Sequence, residues 1–239
     1  MGNLRLALLI SGGGTTAQRI IQACRSGELQ EIVPVCVIAS GSDVDGIAKA
    51  HALRVPTKCL RPNILKDERK LAAALIELCG TFAVDIIGQY GWLPKTPIAV
   101  IRAYQNRMIN QHPGPLDPGR PDFGGKGMYG LRVHAARLLF ARTVHLDFWT
   151  EATAQRVDAE FDKGTVLRRR KVEIFPDDDP ISLQERVLPV EHDVQIEALR
   201  DFAKGQVEEL SRSEPLIPPN LYGELEQAKK TACLLFPSG

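Results

Sequence analysis

Apolar runs alternate with segments of helical period through the first 110 residues. Leu4–Ile10, Ile32–Ala39 and Ala83–Gly88 are almost wholly apolar, and Val55–Leu60 and Arg107–Asn110 are shorter runs of the same kind. Between them lie Ile20, Ile21 and Cys24 on one helical face, a helix-compatible Val44–Leu53, and a stripe of Leu71, Leu75 and Leu78 with Ala72, Ile76 and Cys79. Pro97–Tyr104 supplies another helix. A strand that is apolar on both faces has both faces covered, as in parallel sheets packed against helices. The pattern predicts an α/β fold: an open, Rossmann-like, mostly parallel sheet with helices on both faces, joined by right-handed crossovers.

The rhythm changes after residue 115. Leu116–Gly130 is rich in Gly and Pro and reads as a loop, and Leu131–Phe140 as a helix. Arg142–Trp149 and Val166–Ile174 read as strands joined through Thr150–Gly164, and Ile181–Ala203 reads as mainly helical. Pro and polar residues dominate from Glu214 onward, which predicts a peripheral tail. The expected organisation is a main domain over residues 1–205 and a C-terminal tail over 206–239. No internal repeat is visible.

Composition narrows the class without choosing a function. The chain has 239 residues, 44% hydrophobic and 25% charged, as in ordinary globular proteins. The net charge of +1 argues against nucleic acid or an acidic membrane held by bulk electrostatics. The basic run Arg168–Lys171 sits in a strand-like segment and reads as a solvated face or an anion contact. The five cysteines form no C-x-x-C pair and read as buried free thiols of a reducing compartment. No apolar stretch is long enough to span a membrane, and the chain enters its first strand with no signal-peptide pattern, so the cytoplasm is the expected location.

Two segments carry candidate chemistry. Asn110 and His112 stand two residues apart at a strand end, on one side of the chain, before Pro113 stops regular pairing. An amide beside an imidazole suits a reaction that builds charge on a carbonyl oxygen while a proton moves. Ser11-Gly12-Gly13-Gly14-Thr15-Thr16 follows the first strand and opens a helix. Such a turn binds a phosphate or carboxylate through backbone N–H groups, or is a plain strand-to-helix turn capped by Thr. Gly12-x-Gly14-x-x-Ala17 also fits a loose dinucleotide pattern, but the second strand ends at Ala39-Ser40 with no acidic residue at its tip, which disfavours an NAD(P)-binding enzyme. His134 and His145 lack a paired metal-ligand motif and read as structural or supporting residues, with no metal expected.

Taken together, these pieces resemble the folate-dependent formyltransferase family. The match rests on Leu9–Gly14, Asn110-Gln111-His112-Pro113, Tyr129-Gly130 with His134-Ala135-Ala136, Thr143-Val144-His145, Asp162-Lys163-Gly164, and Arg186 with Glu191-His192, in the family's order over roughly residues 3–200. The resemblance implies a catalytic triad of Asn110, His112 and Asp162. It implies a substrate-phosphate site at Gly13, Gly14, Thr15 and Thr16, and a folate site near Tyr90, Gly91, Trp92 and Leu93. Glu191 matches an acceptor-side position. The implied co-substrate is 10-formyltetrahydrofolate, and the first acceptor is the primary amine of glycinamide ribonucleotide in purine synthesis. A sugar-nucleotide amine is the alternative acceptor. Small-molecule substrates are the expected partners, with a homodimer among the expected assemblies. The chain departs from the family at Thr15-Thr16, where an Asn is usual, and at Gln89–Leu93. The Phe148–Phe161 stretch before Asp162 looks partly inserted.

Overall fold

The structure is a computed structural model that describes residues 3–61, 67–237 and 239. Its strands are β1 (Leu4–Ile10), β2 (Ile32–Ala39), β3 (Thr57–Cys59), β4 (Ile86–Gln89), β5 (Met108–His112), β6 (Trp149–Arg156) and β7 (Val166–Glu173). The helices are α1 (Thr15–Ser26), α2 (Gly46–Ala52), α3 (Glu68–Thr81), α4 (Ile98–Ala103), α5 (Leu131–Val144), α6 (Pro180–Lys204) and α7 (Tyr222–Leu235). The strands follow the order β3-β2-β1-β4-β5-β6-β7 in one sheet. The chain divides into two compact units. One runs to Asn110 and takes in Gln195–Val207; the other holds Gln111–Val194 and Glu208–Gly239.

In the first unit every strand pairing is parallel. Leu6–Ile10 has no exposed surface, and neither do Cys36–Ala39, so these strands are covered on both faces as their apolar runs predict. The strand order reverses at β1. Right-handed crossovers on either side of such a reversal carry their helices to opposite faces. The pairing of α1 with α2 and of α3 with α4 agrees with that division. The register places Leu9, Gln89 and Asn110 side by side at the carboxyl ends of β1, β4 and β5. Ligands of open α/β sheets bind outside this edge, at the point of reversal.

In the second unit β6 and β7 are antiparallel. The Arg168–Lys171 run lies along β7: Arg168 and Arg169 are half-buried, Arg170 and Lys171 exposed. Charge on a strand at the end of a sheet discourages further strand pairing. Two sequence expectations change here. The strand expected over Arg142–Trp149 lies later: α5 continues to Val144, and Trp149–Arg156 is the strand. Thr143 and Val144 read as β-formers, but they extend the helix that buries Ala136, Leu138, Phe140 and Ala141. The true strand escaped because its buried positions are polar or small. Thr150, Glu151, Ala152, Thr153, Ala154 and Gln155 are all buried, so hydrophobic alternation is absent. Most of Phe148–Phe161 is therefore a sheet strand.

The expected peripheral tail also differs. Residues 222–235 form α7, which packs against α5 and buries Leu225, Ala228 and Ala232 in a cluster with Phe123, Val133, Ala136 and Phe140. The spacing of those three residues makes one helical stripe, but two are alanines, a weak hydrophobic signal among polar neighbours. The thiols are free as expected, though not all buried: Cys36 and Cys79 are buried, Cys24 and Cys233 half-buried, and Cys59 exposed.

Candidate active site

The glycine turn in the first unit is built from backbone. Gly14 adopts φ 63° and caps α1 without any side-chain hydrogen bond, so Thr is not the cap. A Cβ at Gly14 would lie 2.7 Å from the Gly46 Cα, so only glycine fits this close approach. Gly12 and Gly13 are exposed, Gly14 and Thr15 half-buried, while Thr16 is buried and faces inward. The first amides of α1 thus meet an open surface with the positive end of the helix behind them. Lys49 on α2 brings an ammonium to the same turn, donating to the Gly13 carbonyl at 2.5 Å. Sequence reading missed it because nothing in the chain links Lys49 to a turn 36 residues away.

The segment after β4 folds onto this turn. Ser11 N–H donates to the Gly91 carbonyl at 3.0 Å, and Leu93 N–H donates to Ser11 Oγ at 3.0 Å. Gln89 holds the segment from inside, donating to Thr96 Oγ1 at 2.6 Å. Tyr90 and Trp92 are buried, whereas Gly91 and Leu93 are exposed, Leu93 at 47%. Of the four candidate folate contacts, two therefore present surface and two form the floor. Tyr90 Oη and Trp92 Nε1 are buried without hydrogen-bond partners, and burial raises the Tyr90 phenol far above its ordinary range. Tyr90 stays neutral.

Asn110 and His112 both stand on β5, two positions apart, so alternation sends them to one side of that strand. Asn110 is half-buried and His112 is buried. In the second unit, His112 Nδ1 lies 3.6 Å from Asp162 Oδ2, an ion-pair separation slightly beyond hydrogen-bond length. His112 Nε2 has no hydrogen-bond partner. Asp162 has φ 58°, a left-handed conformation that a short acidic side chain tolerates better than most. Its carboxylate is held at both oxygens: Gln155 Nε2 donates to Oδ1 at 2.8 Å, and Gly125 N–H donates to Oδ2 at 3.0 Å. Asp158 and Glu160, the carboxylates nearest before Asp162 in the chain, are exposed.

Gln155 and the Gly125 amide are supporting groups that sequence reading missed. The only available signal was the density of glycine in residues 119–130. Thr153 Oγ1 donates to the Gly114 carbonyl at 2.8 Å, so β6 supports the turn after His112 as well as Asp162. His134 is fully buried on α5, and burial, with the neighbouring His112 charge, lowers its pKa to about 3. It is a neutral structural histidine, as expected. His145 differs: it is the exposed, left-handed C-cap of α5.

Glu191 is buried on α6, where burial raises its pKa to about 8 against a hydrogen bond from Gln111 that lowers it. Gln111 leaves β5 on the side opposite to His112, so the structure joins Glu191 to Gln111 rather than to the His112–Asp162 pair. Glu191 Oε1 has no hydrogen-bond partner. Arg186, one helical turn and a half earlier, pairs with Asp178 and secures the start of α6.

Known proteins share both the sequence and this architecture. The chain is 28% identical to a chloroplastic phosphoribosylglycinamide formyltransferase of Arabidopsis thaliana, over 89% of this chain and 70% of that one. It is 26% identical to the phosphoribosylglycinamide formyltransferase of Escherichia coli (strain K12), over 85% of this chain and 89% of that one. Among solved structures, glycinamide ribonucleotide transformylase 1 from Symbiobacterium toebii superposes with a TM-score of 0.76 at 28% identity, covering 90% of this chain and 95% of that one. The model of the family described as formyl transferase matches residues 4–199, a span that holds the glycine turn, the Asn110–His112 strand, Asp162 and Glu191. The chain therefore belongs to the formyl transferase family.

Proposed function

We propose that this enzyme transfers the formyl group of 10-formyltetrahydrofolate to the primary amine of glycinamide ribonucleotide. The observation that carries the reading is the His112–Asp162 pair, 3.6 Å apart, with His112 Nε2 left without a hydrogen-bond partner among the described residues. A neutral amine attacks the formyl carbon, and its carbonyl oxygen takes up negative charge. Asn110 and His112 donate hydrogen bonds to that oxygen. Asp162 stabilises the imidazolium form of His112 and, through water, relays a proton from the amine to the departing folate nitrogen. The C–N bond to folate then breaks, giving the formamide and tetrahydrofolate. The glycine turn and Lys49 together suit the acceptor's phosphate: amide donors supply direction and the ammonium supplies charge. The exposed Gly91 and Leu93 suit the folate side. The similar proteins of Arabidopsis thaliana and Escherichia coli, both phosphoribosylglycinamide formyltransferases, support the choice of acceptor.

The test is a formyl-transfer assay with 10-formyltetrahydrofolate and glycinamide ribonucleotide, following folate absorbance and the formylated product. Product that needs both substrates is the expected result. Tight folate binding with no product from this acceptor, but product from a sugar-nucleotide amine, would replace the acceptor and keep the chemistry.

A further inference from the structure

The long loop after His112 and the C-terminal helix contain charged groups that formyl transfer leaves unused. Lys229, half-buried on α7, donates to two backbone carbonyls of the loop, Asp122 at 3.1 Å and Gly124 at 2.9 Å. Holding a lysine in one geometry costs side-chain entropy, so a doubly bonded ammonium is held there against a penalty.

The turn that Lys229 grips is tightly wired. The Asp122 carboxylate is buried and accepts the N–H groups of Asp117 and Gly124, each at 3.0 Å. Lys163 Nζ, next in sequence to Asp162, reaches the same carboxylate at 3.4 Å. Gly124 admits no side chain, because a Cβ there would lie 2.6 Å from the Asp162 Cβ. The next amide, Gly125 N–H, donates to Asp162 Oδ2, the oxygen that faces His112. A short bonded path thus runs from Lys229 through residues 122–125 to Asp162.

We propose that Lys229 is a positioning residue for catalysis, and that α7 holds the 122–125 turn so that the Gly125 amide fixes the Asp162 carboxylate toward His112. The inference rests on Asp162 being the catalytic carboxylate. Loss of the ammonium frees the turn, and the carboxylate then samples orientations away from the imidazole. The contacts proposed for phosphate and folate, Gly13–Thr16 and Tyr90–Leu93, are other residues, so the effect is expected on turnover rather than on binding.

The experiment is steady-state kinetics of the full chain carrying Lys229→Met, Lys229→Arg, Asp162→Asn, and Lys229→Met with Asp162→Asn. Lys229→Met is expected to lower kcat about tenfold, within the range that small misplacements of reacting groups produce, with both KM values nearly unchanged. Lys229→Arg should restore most of the loss. In the Asp162→Asn background Lys229→Met should add little, because residues acting as one unit are not additive. An equal loss in both backgrounds, or a loss expressed in KM alone, overturns the positioning role and leaves the formyl-transfer reading intact. Wild-type turnover in Asp162→Asn overturns the assignment of Asp162 itself. If that variant is too slow to measure, amide hydrogen exchange decides. Faster exchange at Gly125 in Lys229→Met, with α5 protected as in wild type, supports the path, and unchanged exchange at Gly125 overturns it.

Discussion

The glycine turn of the first unit and the Asp162 pocket of the second solve opposite problems. The turn is open and made of backbone: exposed Gly12 and Gly13, a left-handed Gly14, and one lysine from the next helix. Its donors are the first amides of a helix, which exist wherever a helix starts without a side-chain cap. The surroundings of Asp162 are mostly enclosed and combine side chains with the backbone of the 122–125 turn. Gln155, Gly125, Asp122, Lys163 and Lys229 come from β6, from the loop, from the residue after Asp162, and from a helix more than 60 residues later. Under the proposed function, the turn takes an anion that binds and leaves, which needs an open cradle, whereas the Asp162 carboxylate faces an imidazole in every turnover and needs its rotamer fixed by neighbours.

This contrast breaks most easily at the catalytic end. Asn110→Ala, His112→Ala and Asp162→Asn should each lower turnover by about 10²-fold or more, the scale of losing one oxyanion donor or acid–base group. Steady-state assays check this, and near-normal turnover in all three would sink the mechanism. Leu225→Ala comes next. Leu225 is fully buried and lies one turn before Lys229 on α7. Its truncation should cost about 2–5 kcal/mol in urea unfolding, the range for buried leucines. Retention of full stability would show that α7 is dispensable for the second unit.

Glu191 sharpens the comparison through pH. Its folded pKa of about 8 lies above the ordinary 4.5. Below pH 4.5 the carboxyl is protonated in both states, so its effect on stability vanishes. Between 4.5 and 8 the unfolded chain ionises while the folded one keeps its proton, so stability falls as pH rises. Glu191→Gln should therefore gain on wild type across that window by a few kcal/mol, of the order set by roughly 1.4 kcal/mol per pKa unit. Urea titrations of the two proteins at pH 5 and pH 8 measure it; a constant difference would refute a buried neutral Glu191.

Lys49→Ala should act only on the open cradle. We expect a roughly tenfold rise in KM for the phosphate-bearing acceptor with kcat unchanged, as for one charge-assisted hydrogen bond on a half-exposed group. The smallest effect belongs to His145→Ala. An exposed helix end should change stability by less than about 0.5 kcal/mol and leave kinetics untouched. A large loss of activity would return His145 to the functional set.

The legible parts of this protein share a property. The boundaries of β1 and β2 follow from apolar runs, because most of their residues are buried on both faces with no side-chain hydrogen bonds to favour polar ones. Asn110 and His112 were readable because a strand end and a two-residue period suffice to aim them. Asp162 was found only through a motif, Asp-Lys-Gly, and its true setting was not visible. The strand before it, β6, is buried yet polar, and three of its polar side chains bond at long range: Thr153 to Gly114, Glu151 to Arg212, and the Gln155 amide nitrogen to Asp162. Hydrophobic periodicity has no means of registering a buried hydrogen bond to a distant residue, and Gln155 went unread for that reason.

By itself, the sequence determined the alternation of strands and helices, the parallel sheet, the glycine turn and the amide–imidazole pair, all set by neighbours within a few residues. The tertiary structure alone decided which carboxylate oxygen faces His112, that Lys49 reaches the glycine turn, that Glu191 is buried against Gln111, and that a polar C-terminal stretch packs as a helix. Those outcomes depend on desolvation and on hydrogen bonds closed between residues far apart in the chain, and only the folded chain brings such residues together.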